Sequence, residues 1–153
     1  MRPTACVPAD VRPIRVADLL ARQDLVRSHW HEVDGRDGLD IDWKRLRVLE
    51  AQEMLLALGV IEDGKLLGYT VGLVLHHHHR RAIVYYQNEG LFVAPDARRR
   101  GIGPALVRAT EQHAMGRGAT VFSWHAKAGS SADRLLRAMN YEEREVVLQR
   151  ETP

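Results

Sequence analysis

The apolar positions of this chain change their period twice, and each change marks a change of element. Leu19, Leu20, Val26 and Trp30 form a broken stripe that predicts a helix from Asp18 to about Glu32. Trp43, Leu46 and Leu49 are spaced three apart and predict a second helix, Trp43 to Glu53, with those residues facing inward. From Leu55 the pattern becomes that of strands, Leu55–Ile61 and Leu66–Leu75, joined by the Glu62-Asp63-Gly64-Lys65 turn. Ala82–Val93 reads as a third strand, long enough to need a bulge or bend, with Gly90 inside it. A helix from Gly101 to Met115 follows, and Pro104 is tolerated in its first turn. Ala119–His125 then reads as a strand, Ala132–Met139 as a helix capped by Ser130 or Ser131, and Tyr141–Gln149 as a closing strand. Ile14–Val16 alternates as a short first strand after a Pro-rich start.

A meander followed by a β-α-β unit predicts an α/β fold: a mixed, mostly antiparallel sheet covered by helices on both faces. At 153 residues, with no internal repeat or linker, the chain is expected to form a single domain over 1–153. Composition changes this picture little. Apolar residues are 45%, charged residues 27% and the net charge is +2, too weak a bias to argue for nucleic acid. The single cysteine, Cys6, allows no internal disulfide and is read as incidental. No apolar run approaches the length of a membrane span, and the first residues lack the apolar core of a signal peptide, so the expectation is a cytoplasmic protein without membrane partners.

The chemistry concentrates in Leu91–Leu106, LFVAPDARRRGIGPAL. A strand ends at Val93, Pro95-Asp96 turns the chain, and three arginines and Gly101-Ile102-Gly103 open a helix. Helix N-termini present free N–H groups and favour negative charge, and glycine permits close approach, so this loop is a candidate pyrophosphate cradle. An ordinary strand–loop–helix connection with solvated arginines fits the same spacing. His76–His79 do not make a metal site, since alternate strand residues face opposite ways and no Cys or carboxylate lies at ligand spacing. The aspartates of Asp34–Asp42 do not match a calcium loop.

The element order, with Arg98-x-x-Gly101-x-Gly103 and Val93-x-Pro95-x-x-Arg98, resembles the GNAT superfamily of acyl-CoA-dependent N-acyltransferases. The likeness is good from Leu66 to Met139 and loose in the N-terminal third. Tyr85 to Val93 and Trp124 to Lys127 look like a narrower group, the phage- or prophage-associated GNAT-like proteins. The resemblance implies a sheet splayed at the coenzyme and acetyl-CoA as cosubstrate, with no metal. It implies pyrophosphate binding by the amides of Arg99, Arg100, Gly101, Ile102, Gly103 and Ala105, aided by the side chains of Arg98, Arg99 and Arg100. It further implies pantetheine pairing with Leu91 and Val93, and an N–H near Leu91 or Phe92 for the thioester oxygen. The reaction is attack of an amine on a thioester, for which Glu89 is the candidate base. The tyrosine that protonates the leaving thiolate in many relatives is replaced by Leu136, and an asparagine near the last helix by Gly129. His125 and Tyr85, with Tyr86 and Tyr141, are the candidates that remain. The acceptor is an unidentified amine of a small molecule or protein, a homodimer is among the assemblies the family implies, and a coenzyme A-binding regulatory module without activity is the alternative.

Overall fold

The computed structural model describes residues 10–35 and 38–150, so the Cys6 expectation lies outside the described residues. Five strands make one sheet in the order β1-β2-β3-β4-β5. They are β1 (Val11–Pro13), β2 (Leu55–Glu62), β3 (Lys65–His76), β4 (Val84–Val93) and β5 (Val121–Ser123). The first three junctions are antiparallel and β4–β5 is parallel, giving the expected mixed sheet. The β2–β3 hairpin closes through Asp63 (φ 49°) and Gly64 (φ 75°), two left-handed residues that match the twist of the strands.

Helix α4 (Ile102–Gly116) packs on one face of the sheet and α2 (Gln23–Val33), which follows the short α1 (Val16–Leu20), lies on the other. The α4 contact is tight because Gly68 has no side chain: a Cβ there would lie 2.9 Å from Phe92 O and 3.2 Å from Ile102 Cγ2. Deeper in the same interface Thr70 and Thr110, both fully buried, share a 2.8 Å hydrogen bond between hydroxyls. Leu58, Val60, Leu106 and Val16 are fully buried in the core. Helix α3 (Trp43–Ala51) is capped by Asp42, whose carboxylate accepts from Arg45 N at 2.8 Å, and Trp43, Leu46 and Leu49 pack against the core as their spacing predicted. Helix α5 (Ser131–Ala138) is capped by Ser130.

Three expectations are corrected. The first strand is Val11–Pro13 and not Ile14–Val16, because Asp18 accepts from Arg15 N at 2.8 Å and starts a helix at Val16. The helix expected from Asp18 to Glu32 is two helices, separated by a turn at Ala21-Arg22. Tyr141–Gln149 pairs with no strand among the described residues: Asn140 (φ 66°) turns the chain out of α5, and Val146, Val147 and Leu148 are exposed.

Candidate active site

Strand β4 carries a bulge. Val71 pairs with Gly90 and Gly72 with Asn88, which leaves Glu89 without a partner on β3. A bulge bends its strand and re-aims the extra residue. Glu89 is exposed and accepts from Gln87 Nε2 at 3.1 Å. Parallel pairing of β4 with β5 ends at Gln87 and Ser123. Beyond that point the buried Asn88 reaches across, and its Nδ2 donates to His125 O at 3.4 Å. On this same β5 side, β4 from Asn88 to Val93 pairs with no strand among the described residues, while its opposite edge stays paired with β3, so main-chain groups along Leu91–Val93 are open to an extended ligand on the β5 side.

That open edge runs into a groove bounded by Leu91–Val93, the Ala97–Arg99 turn, the first turn of α4, and Ser131, Ala132 and Leu135 of α5. Left-handed backbone at Arg99 (φ 64°) and Gly101 (φ 77°) curls the loop beneath it. A non-glycine residue held left-handed is a strained position of the kind that clusters at ligand sites. Gly103 brings α5 close, since a Cβ there would meet Leu135 Cδ2 at 3.0 Å. The amides of Gly101, Ile102 and Gly103 belong to the first turn and have no acceptor four residues back. Pro104 has no N–H, and the Ala105 amide already donates to Gly101 O at 3.2 Å.

The three arginines differ. Arg98 Nε donates to Val93 O at 3.0 Å, its Nη2 donates to Glu32 Oε2 at 2.6 Å, and its guanidinium lies 5.5 Å from the Phe92 ring centre. Arg100 Nη2 lies 2.7 and 2.8 Å from the two carboxylate oxygens of Glu62. Arg99 is exposed and lines the groove. On the opposite face α2 leans on the bulge. His29 stacks on Phe92 (4.7 Å between ring centres, 15° between planes), and its Nδ1 lies 2.6 Å from Tyr69 Oη. Burial lowers the His29 pKa to about 4, the charge of Glu32 opposing only partly, so the imidazole is neutral at pH 7. Burial pushes the Tyr69 phenol well above its usual range, so both members of that bond are neutral, and the His29 tautomer decides which of them donates.

A chain with this splayed strand and basic loop matches the Acetyltransferase (GNAT) family model over residues 17–141. It belongs to the GNAT family. Over 126 residues it is 35% identical to the aminoglycoside N(6′)-acetyltransferase type 1 of Klebsiella aerogenes, covering 80% of this chain and 81% of that protein. Among solved structures it is similar to the aminoglycoside acetyltransferase meta-AAC0020 from an uncultured soil metagenomic sample, in complex with trehalose, with TM-score 0.77 and 21% identity. That match covers 95% of this chain and 97% of that one. It is also similar to the aminoglycoside N-acetyltransferase AAC(6′)-Iy in complex with CoA, with TM-score 0.63 and 17% identity over 94% of this chain and 100% of that one. The chain is thus a GNAT N-acetyltransferase that moves an acetyl group from acetyl-CoA to an amine.

The sequence-derived residues of this GNAT chain fall into two groups. Glu89, Leu91, Phe92, Val93, Arg98, Arg99, Gly101, Ile102 and Gly103 lie along the bulge and the groove. Tyr85 lies four residues behind Glu89, its ring 6.3 Å from that of His77. His125 meets β4 through its carbonyl. Tyr86 is fully buried, and a Cβ on Gly72 would lie 2.4 Å from its hydroxyl. Tyr141 Oη donates to Glu111 Oε1. Leu136 is a core residue, 5% exposed. Among the described residues no cluster of three metal-ligating side chains occurs. Sequence reasoning passed over His29, Glu32 and Asn88. The signal for the first two was their spacing of three on one helix face; for Asn88 it was the strand alternation that puts it in phase with Tyr86.

Proposed function

We propose that the acceptor is an aminoglycoside-class amino sugar and that a primary amine of it is acetylated. The observation that carries this reading is the 35% identity, over four-fifths of both chains, to an aminoglycoside N(6′)-acetyltransferase. Charge supports it. The Asp34–Asp42 segment that follows α2 holds four aspartates and one arginine, suited to a polycation. The narrower likeness to phage-associated proteins names no acceptor and adds nothing to this choice.

In this reading the amides of Gly101, Ile102 and Gly103 and the Arg99 guanidinium hold the pyrophosphate. Arg98 keeps β4 and its loop in register. Pantetheine lies along Leu91 and Val93, and an N–H of Leu91 or Phe92 meets the thioester oxygen as charge develops. The amine, deprotonated by Glu89 directly or through water, attacks the carbonyl carbon. The C–S bond breaks, and the sulfur leaves with the electron pair as CoA thiolate. With Leu136 in the core, proton delivery to that thiolate falls to solvent or to His125. A homodimer and a cytoplasmic setting belong to the same proposal; light scattering and cell fractionation test them.

The direct test is incubation with acetyl-CoA and kanamycin, following thiol release and the mass of the product. Acetylated kanamycin supports the reading. Acetyl transfer to peptide amines in preference to kanamycin would replace it.

A further inference from the structure

We propose that His29 and Glu32 of α2, together with Arg98, form a strut through which occupancy of the coenzyme loop positions the acceptor side of the site. This rests on the proposed assignment of the loop to coenzyme and of the acidic segment that follows α2 to the acceptor. Arg98 holds three partners at once. It donates to the main chain of β4 at Val93 O (3.0 Å) and to α2 at Glu32 (2.6 Å), and its guanidinium lies 5.5 Å from the Phe92 ring centre. His29 stacks on the same ring at 4.7 Å. His29 and Glu32 are three apart, so one face of α2 makes both contacts. The helix is fixed to the sheet behind Phe92 as well, because Tyr69 Oη of β3 and His29 Nδ1 share a 2.6 Å hydrogen bond.

Gly90 makes this seat possible. A Cβ there would lie 3.3 Å from His29 Cε1 and 3.3 Å from Val71 Cγ1, tighter than side chains accept without moving. At its C-terminal end α2 also meets the far side of the splay, where Lys127 Nζ donates to Val33 O at 3.1 Å. Arg98 sits in the turn that bounds the coenzyme groove, one residue before the left-handed Arg99. A phosphate that orders this turn fixes Arg98, and Arg98 fixes Glu32. Arg98 and Glu32 are therefore positioning residues, coupling donor to acceptor through α2 rather than touching the reacting atoms.

The coupling is expected to be modest, because both members of the ion pair are 35–40% exposed. The test is calorimetric titration of the full chain with kanamycin, with and without saturating CoA. In the parent protein CoA tightens kanamycin about five-fold. In Glu32→Ala that factor falls to about one, while the affinity for CoA alone changes less than about two-fold. Glu32→Gln, whose amide oxygen still accepts, keeps part of the coupling, which a merely structural role for the side chain does not predict. Hydrogen exchange of the α2 amides gives a second readout without acceptor: CoA slows them in the parent and not in Glu32→Ala. Equal coupling in parent and Glu32→Ala, or parent α2 exchange indifferent to bound CoA, overturns the strut. CoA that fails to bind overturns the coenzyme assignment and the strut with it. CoA that binds while kanamycin does not overturns only the amino-sugar acceptor, and the exchange measurement still decides the strut.

Discussion

Replacing Glu89 by Gln tests the assignment of the base. The residue is the unpaired member of the β4 bulge, so its side chain is not committed to the β3 ladder. It is exposed, and the Gln87 amide, donating at 3.1 Å, orients one carboxylate oxygen. A positioned general base contributes about 10²- to 10⁴-fold. Exposure argues for the lower end, since water reaches the amine and substitutes in part. We therefore expect kcat to fall about 10²-fold, or about 2.7 kcal/mol of barrier. The glutamine keeps the length and the hydrogen bond from Gln87, and Glu89 does not bound the groove proposed for the coenzyme. CoA affinity should stay within about two-fold of the parent, which separates loss of the base from loss of the site. The assay is steady-state thiol release with acetyl-CoA and kanamycin, from about pH 6 to pH 9, in parent and variant. Parent-like turnover across that range would refute the assignment. A matching loss of CoA affinity would show that the change damages the bulge rather than the chemistry.

Arg99→Ala should weaken CoA about five- to ten-fold, read by calorimetry, since Arg99 is the exposed loop arginine lining the groove. Arg100→Ala should weaken it less, because that side chain is held by Glu62. Thr70→Val strands the Thr110 hydroxyl in the core and should cost about 1–3 kcal/mol in urea unfolding. The double change Thr70→Val with Thr110→Val should cost less than the sum of the singles, and an additive cycle would contradict the bond. His29 gives a pH signature. Its pKa is 6.5 in the ordinary case and about 4 in the native chain, so between these values the unfolded state binds a proton that the native state refuses. Stability is therefore complete above about pH 6.5 and declines as pH falls toward 4, by at most about 3 kcal/mol. His29→Phe, which keeps the stack on Phe92, should flatten the difference between urea unfolding at about pH 5 and pH 7.5.

The turn and helix start that form the groove proposed for the donor were legible because they are local. Val93, Pro95, Arg98, Gly101 and Gly103 fall within eleven residues, and each follows from a turn, a left-handed position or a helix start that sequence spacing encodes. The bulge was legible only as a strand too long to stay regular. Its unpaired residue is fixed by register against β3, which no single strand carries. The strut was not legible, since Arg98 and Glu32 lie 66 positions apart and meet only when α2 crosses β4. The same distance effect explains the arginines: in a run that reads as one basic patch, Glu32 holds Arg98 and Glu62 holds Arg100, while Arg99 lines the groove. The closing strand was expected from its apolar residues, but pairing also needs an edge, and β5 runs for only three residues.

The central claim is that acetyl-CoA is the donor and an amino-sugar amine the acceptor. The most direct measurement is mass spectrometry of kanamycin after incubation with the full chain and acetyl-CoA, with acetyl release followed in parallel as free CoA thiol. The account predicts a singly acetylated product formed in step with the thiol, and no product when desulfo-CoA replaces acetyl-CoA. CoA binding without any acetylated kanamycin, and without transfer to other aminoglycosides, would contradict it.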